Sequence, residues 1–144
     1  MCCTPKHIVL SLALLAFSAP AFAGWRDVTN LPAAVSDAVA AAVDDGLYVM
    51  SGAPGQGLRQ FFEFYDTKND GWRPLTPMPA NLWRFSLTAG NGQLFVIGGR
   101  DQGTGDMSSD VWMYTPQSAI WIELPALPQA RAGHASFFAD GSVY

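Results

Sequence analysis

Residues 94–128 read LFVIGGRDQGTGDMSSDVWMYTPQSAIWIELPALP. A short apolar run ends in two glycines, Gly98 and Gly99, and a polar loop follows; two more apolar runs then surround Tyr114 and Trp121. Apolar runs this short, separated by glycine, proline and polar clusters, are typical of β-strands joined by turns. The stretch therefore predicts three consecutive strands of one sheet.

The same pattern occurs once earlier in the chain and begins again after it. Tryptophan, proline and aromatic positions recur at intervals of 47 and 49 residues. The recurring positions are Trp25, Trp72 and Trp121; Pro32, Pro79 and Pro128; Tyr48, Phe95 and Tyr144; and, once, Tyr65 and Tyr114. Length varies only between the glycines and the next tyrosine, as expected of a repeated supersecondary unit with one variable loop.

A period of roughly 50 residues with four short strands is typical of a β-propeller blade. The predicted strands are 37–43, 47–50, 61–65 and 72–75 in the first repeat, and 85–89, 94–97, 111–114 and 120–124 in the second. Local propensity favours helix at residues 36–43, which read SDAVAAAV. The equivalent stretch of the second repeat is strand-like, so we predict strand in both, with small residues packing near a crowded axis.

This pattern resembles the kelch-repeat family, in which a double glycine closes the second strand and a tyrosine and a tryptophan follow, separated by six residues. The matching residues are Gly52, Tyr65 and Trp72 in the first repeat, and Gly98, Gly99, Tyr114 and Trp121 in the second. Ser51 stands where the first repeat would have its first glycine. These residues are interpreted as structural: the second glycine permits a restricted backbone conformation, and the rings fill the wedge between blades.

The resemblance covers residues 25–144 and implies an all-β, kelch-type β-propeller. Because propellers close with four to eight blades, we expect this chain to supply only part of one, about two and a half four-stranded blades. The expected divisions are a lone strand at 24–32 that completes the last blade, repeats at 33–79 and 80–128, and an incomplete third repeat at 129–144.

The first 23 residues are predicted to be a signal peptide. Lys6 precedes a mostly apolar run, and Ala21 and Ala23 fit the small-residue rule for cleavage before Gly24. The alternative is a membrane anchor, but the apolar run is short for a span of about 30 Å. We therefore expect export to the periplasm or the exterior, with no transmembrane anchor after cleavage.

Composition excludes several classes of function. The chain of 144 residues has 8 Lys and Arg against 12 Asp and Glu, which gives no electrostatic footprint for nucleic acid. Both cysteines, Cys2 and Cys3, lie in the predicted signal, and His134 is the one histidine after it. We therefore predict no metal site and no cofactor. The sequence also shows no recognisable catalytic constellation.

Candidate ligand-binding residues lie on loops and at the start of the innermost strands. Arg100 and Asp101 begin a polar, glycine-rich loop that is either a contact loop or a solvated surface loop. Arg84, Arg131 and His134 precede or begin the innermost strands, where an arginine either holds a ligand carboxylate or bonds loop carbonyls.

Three functions follow from the resemblance. The leading interpretation is a secreted or periplasmic scaffold that binds a carbohydrate or an envelope or extracellular protein. The second is an enzyme similar to the exported sialic-acid mutarotases, in which Arg84 or Arg131 would hold the substrate carboxylate and the acid/base group is not identified. The third is a galactose-oxidase-like copper enzyme, for which this sequence shows too few histidines.

Overall fold

The computed structural model describes residues 24–25, 27–52 and 60–144. The predicted signal peptide, residues 1–23, lies outside the described residues. The described part contains twelve β-strands and no helix: β1 (Val39–Val43), β2 (Gly46–Ser51), β3 (Phe61–Asp66), β4 (Gly71–Pro74), β5 (Leu82–Trp83), β6 (Ser86–Gly90), β7 (Gln93–Ile97), β8 (Arg100–Asp101), β9 (Val111–Thr115), β10 (Ile120–Leu124), β11 (Phe138–Ala139) and β12 (Ser142–Val143).

The strands form two antiparallel four-stranded sheets. The first blade has the order β1-β2-β3-β4, and the second has β6-β7-β9-β10. The eight strands predicted from the sequence are therefore all present, with bounds that differ by one or two residues. The alanine-rich segment predicted as strand against its helical propensity is β1, which pairs with β2 from Val39↔Met50 to Val43↔Gly46. Pairing with β2 overrides local propensity here.

Two short sheets were not predicted as pairs. Strand β5 pairs with β8, which ties the segment before the second blade to the loop after the two glycines. Strands β11 and β12 form a small hairpin that begins a third unit. The Phe138 ring in this hairpin stacks on Phe95 of the second blade, with ring centroids 5.9 Å apart.

The hydrophobic core lies between the two blades. Phe62 of the first blade meets Tyr114 edge-on, with centroids 5.0 Å apart, and lies 5.5 Å from Trp121. Leu94 and Val96 of the second blade are completely buried. Because apolar burial contributes about 25 cal/mol per Å², this packing stabilises the two blades against each other.

The repeat tryptophans join each blade to the segment before it. Trp121 donates its indole N–H to the carbonyl oxygen of Thr76 at 3.0 Å, and Trp72 donates to that of Thr29 at 2.9 Å. Thr29 and Thr76 are themselves one repeat apart. The predicted lone strand at 24–32 has no strand pairing among the described residues, and its role in completing a last blade remains a prediction.

The kelch-motif glycines lie where another segment crosses closely. Gly98 and Gly99 have φ angles of +58° and +115°, a range that side-chain-bearing residues rarely adopt. A side chain on Gly98 would meet the carbonyl oxygen of Arg131. A side chain on Gly52 would meet the backbone of β5. The first repeat therefore needs its glycine for the close approach of another strand.

Candidate functional site

The candidate site lies at one end of the blades, here called the loop end. Within an antiparallel blade, the turn from the first to the second strand and the turn from the third to the fourth lie at one end. The connection between the second and third strands, and the connection to the next blade, lie at the other. The loop end therefore contains three kinds of segment: those before β1 and β6, the loop after Gly99, and residues 131–134.

One position of the repeat has an unusual backbone in all three units. Asp37, Arg84 and Gly133 are equivalent in the repeat, and their φ angles are +51°, +53° and +65°. Two of these residues carry side chains, for which the left-handed region costs free energy, and such residues cluster at functional sites. The three equivalent residues line one cavity of about 390 Å³, together with Phe85 and His134.

Arg84 lines this cavity and has a half-exposed side chain. Its side chain is 52% exposed and lies over the ring of Trp83, 4.7 Å from the ring centroid. Its Nε lies 3.7 Å from a carboxylate oxygen of Asp37. An exposed ion pair of this length contributes at most about 1 kcal/mol. A ligand carboxylate that binds the guanidinium with two parallel hydrogen bonds can therefore displace Asp37.

His134 lies in the same cavity as Arg84. Its Nε2 is 3.0 Å from the hydroxyl oxygen of Ser86, while its Nδ1 is buried and has no hydrogen-bond partner in the part of the chain that the structure describes. Burial, with a smaller contribution from the charge on Arg131, lowers the pKa of His134 below its usual value of 6.5. This shift favours the neutral form of the imidazole.

Arg131 is separate from Arg84. It lines a second cavity of about 230 Å³ together with His134, but Arg84 is not part of that cavity. The carbonyl oxygen of Arg131 accepts the N–H of Gly99 at 2.8 Å, and its Nε donates to the carbonyl oxygen of Gln129 at 3.4 Å. The structure thus brings His134 together with either arginine, but does not place the two arginines in one cavity.

Arg100 and Asp101 hold their own loop in shape. The Arg100 Nη1 donates to the carbonyl oxygen of Gly105 at 2.6 Å. One carboxylate oxygen of Asp101 accepts the N–H groups of Gly103 and Thr104, each at 2.8 Å. These backbone hydrogen bonds, that from Thr104 most, lower the pKa of Asp101. Both side chains are engaged in this way, so they contribute to ligand contact less directly than Arg84.

Two residues of interest were not singled out from the sequence. Asp37 belongs to the loop-end cavity, and comparison of the three equivalent repeat positions is the signal that finds it. Glu63 has a buried carboxylate oxygen and lines a separate cavity of about 560 Å³. In the sequence, Glu63 stands out only by comparison of the repeats, because the equivalent residue of the second repeat is Trp112.

Two further observations concern metal-ligating clusters and long apolar helices among the described residues. Within residues 24–25, 27–52 and 60–144, no three histidine, cysteine, aspartate or glutamate residues come together in a way that would hold a metal ion. Across the same ranges, no helix is long and apolar enough to span a membrane.

Comparison with known proteins agrees with the blade geometry. The family model for the kelch motif matches residues 84–128, which contain the second blade. These residues form a kelch repeat. The chain is 36% identical over 86 residues to kelch-like protein 30 of Mus musculus, covering 58% of this chain and 15% of that protein. It is 30% identical over 84 residues to a kelch domain-containing protein of Sulfurisphaera tokodaii, covering 58% of this chain and 12% of that protein.

Among solved structures, the kelch-repeat chain resembles that of YjhT, with a TM-score of 0.68 and 24% sequence identity. The alignment covers 81% of this chain and 35% of YjhT. This likeness shows the fold, a kelch β-propeller. The chain spans about a fifth or less of the length of the curated relatives that it matches. Binding residues lie disproportionately on loops of such scaffolds, and the fold alone does not determine which partner is bound.

Proposed function

We propose that this chain belongs to an exported binding protein that engages a carbohydrate or an envelope protein at its loop end. The observation that carries the proposal is the cavity of about 390 Å³ lined by Asp37, Arg84 and Gly133. The three residues are equivalent in the repeat, so successive blades present the same backbone position to one space. The predicted signal peptide supports export.

The chemistry of this cavity favours a ligand that carries a carboxylate. Arg84 is half-exposed and is held by a weak ion pair with Asp37. Trp83 supports the guanidinium plane from one side. Arginine binds carboxylates through two parallel N–H donors, which fixes the orientation of the ligand as well as its affinity. Acidic sugars and acidic side chains of proteins both offer this group.

A binding screen with the complete protein tests the proposal. The protein is applied to an array of neutral and acidic glycans and, separately, to an extract of envelope proteins. We expect retention of at least one carboxylate-bearing glycan or one envelope protein. Absence of binding to every glycan and every envelope protein would contradict the proposal.

A second candidate is an enzyme similar to the sialic-acid mutarotases. The observation in its favour is that Arg84, suited to a substrate carboxylate, shares a cavity with a neutral histidine, His134. Opening and closing of a sugar ring requires proton transfer at the ring oxygen and the anomeric hydroxyl. The rate of anomer exchange of N-acetylneuraminate, measured by NMR with and without the complete protein, decides this candidate. An unchanged exchange rate would eliminate it.

A further inference from the structure

The two blades have nearly the same residues on one face. The front face of a blade is here the face that carries its kelch tyrosine and tryptophan. In the second blade it packs on the first blade and includes Leu94, Val96, Trp112, Tyr114 and Trp121. The equivalent residues of the first blade are Leu47, Val49, Glu63, Tyr65 and Trp72. Four of the five pairs are identical, and the exception is glutamate in place of tryptophan.

The front face of the first blade is built to be covered by another blade. The carbonyl oxygen of Thr76, at the end of the first blade, accepts the indole N–H of Trp121. In the same way, the carbonyl oxygen of Thr29 accepts the indole N–H of Trp72. The Thr29 backbone N–H and hydroxyl also bond Asp70, each at 2.8 Å. The segment around Thr29 thus occupies the place that the outer edge of a preceding blade takes. This equivalence identifies the covering element as a further kelch blade.

Glu63 restricts which side chains the covering blade can place against the front face of the first blade. Its Oε2 is buried and has no hydrogen-bond partner among the described residues. Two polar neighbours in its cavity are already engaged: the Ser51 hydroxyl donates to the carbonyl oxygen of Ser36, and the Gln60 side chain donates to that of Ala80. Burial also raises the pKa of Glu63. A carboxylate at this depth needs a donor, preferably a cation, from whatever covers it.

We propose that the blade which covers the front face of the first blade presents a lysine or arginine side chain to Glu63. Where the second blade inserts Trp112 into its neighbour, the first blade inserts a carboxylate. An apolar side chain such as that of Trp112 can pack on the face of any blade. A buried carboxylate is compatible only with a blade that places a cation opposite it. The pair therefore selects the correct neighbour for the first blade.

Substitution at Glu63 in the complete protein tests this proposal. Glu63→Gln and Glu63→Met both leave the cation unpaired, so each lowers the thermal unfolding midpoint by several degrees. Glu123→Met is the matched control, because Glu123 is an exposed glutamate on β10. We expect this control to shift the midpoint by no more than about one degree. An unchanged or raised midpoint for Glu63→Met would show an apolar cover and overturn the proposal.

Two further measurements cover the remaining outcomes. If Glu63→Met does not fold, Glu63→Asp and Glu63→Asn are compared: the proposal requires the aspartate variant to be the more stable, and equal midpoints contradict it. The midpoints are also measured over a hundredfold range of protein concentration. Destabilisation that grows on dilution would assign the cover to a second copy of the chain and contradict the proposal.

Discussion

Gly99→Ala tests the claim that the second kelch glycine is required by both backbone conformation and crowding. Its φ of +115° lies in a region that alanine adopts at a cost of about 1–3 kcal/mol. A Cβ at Gly99 would also lie 2.9 Å from the Trp83 carbonyl oxygen and 3.2 Å from the Phe85 Cβ. Relieving these contacts requires the backbone to move, which costs about 1–3 kcal/mol more. We therefore expect Gly99→Ala to destabilise the protein by about 2–6 kcal/mol.

Gly105→Ala is the matched control for this prediction. Gly105 also has a positive φ, +78°, but a Cβ there would meet nothing within 4 Å. Its substitution carries only the conformational cost of about 1–2 kcal/mol. Both free energies of unfolding are measured by urea denaturation of the complete protein at neutral pH. Equal losses for the two variants would refute the crowding argument, and no loss at Gly99 would refute both parts.

Two other properties of the described residues lead to predictions. Trp121→Phe keeps a ring against Tyr114 but loses the indole hydrogen bond to the carbonyl oxygen of Thr76. We expect the free energy of unfolding, measured by urea denaturation, to fall by about 0.5–1.5 kcal/mol. An unchanged stability would show that this bond is not needed. Because folding lowers the pKa of His134, this histidine is protonated at a higher pH in the unfolded chain than in the folded one. The free energy of unfolding therefore decreases as the pH falls from about 6.5 to the pKa of His134 in the folded protein. His134→Asn removes this contribution, and a pH profile identical to that of the unsubstituted protein would contradict the assignment.

The repeat arithmetic predicts most of the fold. The constant spacing of tryptophan, proline and tyrosine determines where each strand begins, and it gives the correct state for β1, where alanine propensity favours helix. Strand pairing supplies hydrogen bonds that local propensity does not include. The pairing of β5 with β8 could not be predicted, because two-residue strands carry no periodicity that a sequence pattern reveals.

The candidate site was predicted less completely than the fold. The sequence indicates Arg84 and His134 as residues near the innermost strands, and the structure places them in one cavity. The sequence groups Arg131 with them because it also lies at the start of an innermost strand, but in the structure Arg131 lines a different cavity from Arg84. Asp37 occupies the same repeat position as Arg84, but its place beside Arg84 becomes visible only in the folded blades, where their φ angles match and both residues line one cavity. Which side chains meet across blades depends on blade packing, which spacing along the chain does not determine.

Glu63 illustrates the same limit at a blade face. On a single strand it is an ordinary alternating polar residue. Its significance appears only when the front faces of the two blades are compared and its carboxylate is found buried without a partner. Comparison of the two repeats thus leads from Glu63 to the expectation of a lysine or arginine on the blade opposite it.

The central claim is that the loop-end cavity around Arg84 binds a carboxylate-bearing ligand. The most direct measurement is quantitative binding of the complete protein and its Arg84→Gln variant to an array of sialylated, uronic-acid-containing and neutral glycans. Arg73→Gln is the control, because Arg73 is an exposed arginine on the outermost strand β4. We expect carboxylate-bearing glycans to bind and Arg84→Gln to weaken their binding roughly tenfold to a hundredfold, the effect of one charge-assisted hydrogen-bonded pair. Arg73→Gln should leave the binding unchanged. Binding that survives Arg84→Gln, or that shows no preference for carboxylates, would contradict the central claim.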